Sequence, residues 1–502
     1  MTAGEARPGI LVLGAGIMQI PSLEAARENG WFLLVADGNP EALGRGLADE
    51  FHVVDLKDEE GLLELARGYF EDGLLHGVFT AGTDFSTSVA YVADGLGLPG
   101  ISYETALNAT DKARMRHVLS EAGVRCPCFA MLGGVAELEK AALPEFPLVV
   151  KPVDNMGARG VRRVETETEL STAVADAAAY SRSGRVIVEE FLDGPEFSVD
   201  ALVVEGRVHL CGIADRHIRF PPYFIEVGHT MPTEYGREAR EEIARALGEA
   251  ARALGIRNGA AKGDIFLTSE GGVVGEVAAR LSGGYMSGWT YPYASGVPVT
   301  EAAMRLALGL PPGDLSPRFH WTSVERAAVS IPGTVVEVRG VETARRHDRV
   351  RDLFERAQPG DRVVFPRNNT EKCANVITAA PDRGEAVEAC EQAVADLVFR
   401  LEAGTPETAA FLADDEGPWA FRPELARIPP QQARRRAGTE GDWNYRSLAR
   451  TLEMIGGLTE AHPPEENPGF MRAVLKGGLQ GGLFYLDTIR RDPGMLGALR
   501  ST

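Results

Sequence analysis

Short apolar runs alternate with amphipathic stretches over the first 110 residues. Residues 10–13, 31–35, 50–54 and 77–80 read as strands, and 21–29, 59–69 and 87–96 as helices. This alternation predicts a parallel sheet covered by helices. A helix over 111–122 follows, and a second α/β unit opens at Cys126, with strands at 128–132, 146–152 and 185–190 and a helix at 167–181. From Phe197 the strands lengthen, 197–204 and 207–214, ahead of a helix over 237–254. Two further apolar runs, 262–267 and 273–280, flank the Gly-rich joint 268–272 and read as a hairpin. A β-rich stretch, 327–340 and 361–378, ends in a helix over 384–403. After about residue 411 the chain turns to Pro, Arg and Gly with isolated Trp419 and Trp443, and reads as an appended tail with helices at 446–455 and 469–479. No internal repeat or low-complexity tract interrupts the pattern.

At 502 residues the chain exceeds one ordinary core, so several domains are expected. The pattern divides at 1–110, 111–195, 196–318, 319–410 and 411–502. A formal charge of −20 argues against an electrostatic grip on nucleic acid or on an anionic membrane, both of which need a basic surface, and favours small-molecule chemistry. No apolar run is long enough to span a bilayer, and residues 1–8 lack the basic-then-apolar order of a signal peptide, so a cytoplasmic location is expected. Cys126, Cys128, Cys211, Cys373 and Cys390 are odd in number and scattered, which does not suggest a disulfide framework. Cys126-Pro-Cys128 reads as small apolar packing or as half of a metal site.

The hairpin carries the first candidate chemistry. If Leu267 pairs with Val273, Asp264 falls opposite Glu276, and alternation puts Ala278 and Arg280 on the face of Glu276. Like charges directly opposite are destabilising. A divalent cation shared between them, magnesium by its liking for carboxylate and phosphate oxygens, resolves the conflict; two solvent-exposed acids on a surface turn are the other reading. Upstream, a strand delivers Lys151, and the loop Gly157-Ala-Arg159-Gly160 follows, able to present backbone N–H groups to phosphate. A plain turn is the alternative, and it leaves the buried-looking Lys151 unexplained. Lys112 is a second candidate phosphate ligand or an ordinary helix-surface lysine. Residues 186–192 read as a strand running into a linker, where main-chain groups of Glu190 to Leu192 can read a nucleotide base and Glu196 a ribose; a hinge between two lobes is compatible with both. Arg216, His217 and Arg219, with Glu226 and His229, gather cations that suit an anionic ligand or a solvated loop. Arg280 suits bidentate recognition of a carboxylate or phosphate. Gly14-Ala-Gly16 after the first strand, with Asp37 ending the next, has part of a dinucleotide fingerprint, but Gln19 stands where the third glycine belongs. A mononucleotide-type domain or a tight βα turn explains these residues equally well.

Taken in order, these motifs resemble the ATP-grasp superfamily of carboxylate–amine ligases over about residues 9–402. The resemblance implies an α/β architecture: a Rossmann-like parallel-sheet domain at 1–110, a two-lobed α+β nucleotide clamp at 111–195 and 196–318, and a β-rich domain at 319–410, with 411–502 appended. It implies that Lys112 and Lys151 hold ATP phosphates under the Gly157–Arg159–Gly160 loop, that Glu189, Glu190, Leu192 and Glu196 hold adenosine, and that Asp264 and Glu276 hold Mg2+, for which Mn2+ can substitute. The family usually has Asn two residues after the second acid, and this chain has Ala278. Tyr223 to His229 followed by Arg280 is similar to the bacterial L-amino acid ligases, where the equivalents of Glu226 and His229 lie beside the amino acids and Arg280 holds a carboxylate or acyl-phosphate; Gly284 leaves a roomier side-chain pocket. The partners implied are a small carboxylate and an amine, without nucleic acid or membrane, in a chain that can form a homodimer. The first domain and residues 83–86 also look like carbamoyl phosphate synthetase and the formate-using purine transformylase, so a bicarbonate or formate enzyme is the alternative. A non-catalytic nucleotide-binding module and a nicotinamide oxidoreductase are the rivals from other classes.

Overall fold

The computed structural model describes residues 7–460 and 462–491. Most of residues 1–8, where the signal-peptide reading falls, and the end of the 411–502 tail therefore lie outside the described residues. The chain forms two compact units: residues 1–217 with 229–323, and residues 218–228 with 324–502.

In the first unit, β1 (Gly9–Leu13), β2 (Phe32–Asp37), β3 (Glu50–Val53) and β4 (Gly77–Phe79) form a parallel sheet in the order β3-β2-β1-β4. All five residues of β1 are buried, as a central parallel strand covered on both faces requires. β5 (Phe129–Leu132), β6 (Leu148–Pro152), β7 (Arg162–Val164) and β8 (Val186–Glu190) form an antiparallel sheet, β5-β8-β6-β7. The helix Glu167–Tyr180 closes it with Leu170 and Val174 against Leu148, Val150 and Val188. β9 (Glu196–Val204), β10 (Arg207–Arg219), β11 (Ile225–Met231), β12 (Gly259–Thr268) and β13 (Gly271–Ala278) follow, with β13-β12-β9-β10 adjacent in that order. The helix Arg237–Leu254 buries Ile243, Leu247, Ala250 and Leu254, one apolar stripe at helical spacing, in the core this sheet shares. Arg216, His217 and Arg219, for which a solvated loop is the alternative to an anionic-ligand site, belong to the long strand β10.

The hairpin corrects the expected register and keeps its consequence. Leu267 pairs with Gly272 and Phe266 with Val273, one step tighter than a Leu267–Val273 pairing. A bulge between Asp264 and Ile265 then absorbs one extra residue, Gly275, and Asp264 faces Glu276 after all. A Cβ at Gly275 would lie 2.6 Å from the Phe266 ring and 3.0 Å from the Asp264 carbonyl oxygen. Gly275→Ala is therefore expected to lower stability by about 1–3 kcal/mol through overpacking, read as an earlier urea midpoint; an unchanged midpoint counts against a bulge locked by that contact.

In the second unit, β11 is followed in sheet order by β14 (Thr322–Ala328), β18 (Ala374–Ala380) and β16 (Val350–Glu355), while β17 (Arg362–Val363), β15 (Gly333–Arg339) and β19 (Val398–Leu401) make a smaller sheet. The helix expected over 384–403 stops at Asp396, because Val398-Phe-Arg-Leu401 pairs with β15. β-branched and aromatic residues favour that outcome. The stretch after 411 is no loose appendage in packing terms: Trp443, Leu452, Phe470, Leu479 and Phe484 share one core with Val324, Val376 and Phe399. Its α-helices include Pro430–Ala437, Leu448–Thr459 and Pro468–Arg491, the last kinked at Gly478, where φ is 59°.

Cys126 packs beside the first unit's core, and Cys373 and Cys390 are buried in the second. No helix among the described residues is long and apolar enough to cross a membrane.

Candidate active site

Strand alternation and one helix N-terminus bring five charged groups together in the first unit. Asp111 caps the helix Lys112–Glu121 by accepting from the Ala113 and Arg114 amides, which places Lys112 in its first turn. The Lys112 ammonium donates to the Asn155 carbonyl at 2.9 Å and lies 3.5 Å from the Glu276 carboxylate. One turn further along, fully buried Arg116 donates to Glu189 at 2.8 Å and to the Gly275 carbonyl at 2.5 Å. Lys151 on β6 reaches the other Glu189 oxygen at 2.6 Å. Burial alone would raise the Glu189 carboxyl; Arg116 and Lys151 outweigh it and hold the group below its ordinary value. The Glu189 side chain thus aims Lys151, and Arg116 ties that strand to the hairpin bulge.

The two hairpin acids have cationic neighbours of their own. Lys262, one alternation before Asp264, bonds that carboxylate, and Arg216 lies 3.2 Å from it while pairing with Glu196. Burial pushes the Glu276 carboxyl up, but Lys112, Lys262, Lys151 and Arg280 together pull it well below the carboxylate range. Like-charge repulsion between the acids is therefore relieved by lysines before any cation binds, which the sequence reading did not anticipate. The donor set still fits magnesium: Asp264 Oδ1 is buried without a hydrogen-bond partner, and Glu276 stands opposite it in register. Ala278 pairs with Lys262 and offers no side-chain ligand. Two carboxylates with phosphate and water completing the shell suit Mg2+.

Beyond these groups, Gly157, Ala158 and Gly160 all have positive φ, so the loop curls its amides in succession. Glu190 is occupied by the Cys128 amide at 2.8 Å. Between Glu190 and Leu192, Phe191 carries the Arg163 guanidinium 4.0 Å above its ring, a pairing no sequence spacing advertises.

Past the hairpin, Arg280 donates to the Leu281 carbonyl, and the turn after it is held from below. Asp200, fully buried on β9, accepts from the Ser282 amide at 3.0 Å and the Ser282 hydroxyl at 2.8 Å. Burial pushes the Asp200 carboxyl up to about 7 against the opposing Ser282 bonds and the charges of Lys262 and Arg280. A raised native value means the folded chain holds this proton longer than the unfolded one, so stability falls as pH rises from about 4 to about 7. Asp200→Asn is expected to flatten that part of the profile, measured as the wild-type minus variant difference in urea midpoint at pH 5 and pH 8. His229 is buried in the same unit. Glu226 belongs to the second unit, where its amide donates to Asn369 at 2.9 Å and its carboxylate lies 3.9 Å from Lys372.

Residues 144–288 match the model of the ATP-grasp domain, and residues 328–402 that of the L-amino acid ligase C-terminal domain 2. The chain thus carries an ATP-grasp domain and an L-amino acid ligase C-terminal domain. It is 28% identical over 331 residues to the uncharacterized protein y4rH of Sinorhizobium fredii, covering 65% of this chain and 68% of that one. It is likewise 28% identical over 333 residues to carnosine synthase 1 of Gallus gallus, covering 60% of this chain but only 35% of that enzyme. The crystal structure of an L-amino acid ligase from Bacillus licheniformis superposes with a TM-score of 0.71 at 24% identity, over 80% of this chain and 100% of that one, which shows a common fold.

The ATP-grasp family uses ATP and Mg2+. The Gln19 side chain folds back over the Gly14 turn: a Cβ at Gly14 would lie 3.1 Å from Gln19 Cδ. Gln19 is buried and donates to the Ala81 carbonyl at 2.7 Å, and Asp37 accepts from the Ala15 and Asn39 amides at 2.7 Å each. Gln19 thus packs against the glycine turn, and Asp37 at the end of β2 is bonded to that turn through Ala15 and to its own loop through Asn39. Sequence reasoning missed Arg116, Lys262 as a partner of Asp264, and Asp200. Only Lys262 had a legible signal, its position two residues before Asp264 on the same strand face.

Proposed function

We propose that this chain is an ATP-dependent ligase that activates a carboxylate as an acyl-phosphate and joins it to an amine, forming an amide or peptide bond and releasing ADP and phosphate. The observation that carries this reading is the Lys112 ammonium 3.5 Å from Glu276, which faces Asp264 across the hairpin, with Lys151 held by Glu189 and its charge acting on Glu276. Phosphoryl transfer needs charge neutralisation and positioning more than covalent help. Lys112 and Lys151 bind the phosphates, the amides of Gly157, Arg159 and Gly160 cover them, and closure of that loop keeps water from an acyl-phosphate prone to hydrolysis. Main-chain groups of Glu190 to Leu192 face the base, Glu189 lines its pocket, and Glu196 faces the ribose. Asp264 and Glu276 hold Mg2+, or Mn2+ in its place, which when bound neutralises phosphate charge. Arg280 steadies the substrate carboxylate, and Glu226 or His229 accepts the proton that the attacking amine loses. The substrates of this reading are a small carboxylate and an amine, both amino acids by the similarity of residues 223–229 and 280 to the L-amino acid ligases.

A phosphate-release screen of amino acids and other small carboxylates, singly and in pairs, with product mass measured, tests the proposal. Release that requires an amino-acid pair, with a product equal to the two minus water, is expected. Release driven by bicarbonate or formate and indifferent to amino acids overturns it.

A further inference from the structure

The second unit joins its C-terminal stretch to the short segment 218–228 that carries Glu226. Phe220 packs edge-on to Phe365, centroids 5.0 Å apart, and lies 6.4 Å from Trp443, itself 4.9 Å from Phe365. Next to it, the Arg219 guanidinium sits 5.5 Å above the Tyr445 ring. Phe220 and Tyr445 both hold positive φ, 68° and 65°, a conformation that bulky residues keep only when their surroundings enforce it. Those surroundings are tied by hydrogen bonds. Asn444, between the two aromatic residues of the tail, accepts from the Val329 amide at 2.9 Å and donates to the Val329 carbonyl at 2.8 Å, pairing with the end of β14 like a strand. Asp442 accepts from the Asn444 and Arg446 amides, closing the loop on itself.

We infer that Trp443 and Tyr445 are positioning residues: through Phe220 and Arg219 the C-terminal stretch holds segment 218–228, and with it Glu226, in the conformation that receives the amino-acid substrate. This rests on the proposed ligase reading, in which Glu226 serves the amino acids and the ATP groups lie elsewhere. A tail that grips this segment sets substrate affinity and leaves ATP affinity alone.

Two measurements on the full chain test it. Limited trypsin digestion without substrate, followed by mass spectrometry, reads cleavage after Arg219; Trp443→Ala is expected to speed it several-fold and Trp443→Phe to restore the slow rate. Phosphate release with the best amino-acid pair from the wild-type screen is expected to show the KM for an amino acid raised by about tenfold or more in Trp443→Ala, with the KM for ATP little changed and Trp443→Phe close to wild type. Arg219→Gln, which removes only an exposed side chain, is expected to move the same KM in the same direction should Trp443→Ala fold poorly. Equal losses for ATP and amino acid, or no gain from the Phe variant, overturn the inference. Wild-type protein with no amino-acid-dependent release overturns the ligase reading and the substrate half of this one, while the trypsin rates still decide whether the tail holds the segment.

Discussion

Glu276→Gln is expected to reduce ATP turnover by about 10²–10³-fold, the range for losing one preorganised charge at a reacting phosphate, with the fold intact. The side chain keeps its shape and its place opposite Asp264, so the change removes charge and little else. Lys112, 3.5 Å away, keeps a polar neighbour in the amide. The measurement is phosphate release at saturating ATP and substrates, with urea unfolding beside it. Full activity sinks the metal assignment, and collapse of the fold would show that Glu276 acts through its ion pairs. The carboxyl is held below its ordinary value, so its contribution to stability is complete above that value, and is lost only as pH falls below it. Activity of the wild type between pH 6 and 8 should therefore show no titration of this group.

Arg116→Met is expected to cost about 3–5 kcal/mol of stability, the range for removing one member of a buried ionic cluster. Arg116 is fully buried, and its loss leaves Glu189 with Lys151 alone and the Gly275 carbonyl without its donor. Because Glu189 aims Lys151, ATP affinity should fall as well. Urea denaturation and ATP titration on the same preparation check both. A loss of less than about 1 kcal/mol would place Arg116 among surface-like pairs.

The outcome along the chain follows from the range over which each feature is encoded. The parallel sheet of the first domain, the helix Arg237–Leu254 and the hairpin were legible because hydrophobic period is a local signal. So was the Asp264–Glu276 apposition, although the register that delivers it differs by a bulge. The helix over 384–403 was overread because the partner that draws Val398–Leu401 into a strand is β15, distant in sequence. The tail was unreadable for a like reason: its tryptophans look isolated in a Pro- and Arg-rich stretch, and only packing in the cluster of Val324, Phe365 and Val376 makes Trp443 core and sets Trp419 against it.

Charge showed the same divide. Residue order was enough to mark Lys112, Lys151, Asp264, Glu276 and Arg280 as candidates for phosphate, metal and carboxylate contacts, because motif spacing along strands and turns is a one-dimensional property. Which charge neutralises which was decided only by the folded chain. Arg116 meets Glu189 across 73 positions and Gly275 across 159, and Asp200 meets Ser282 across 82. Such partners are chosen by the stacking of sheets and helices, since a buried charge must find its counterpart wherever the core places one.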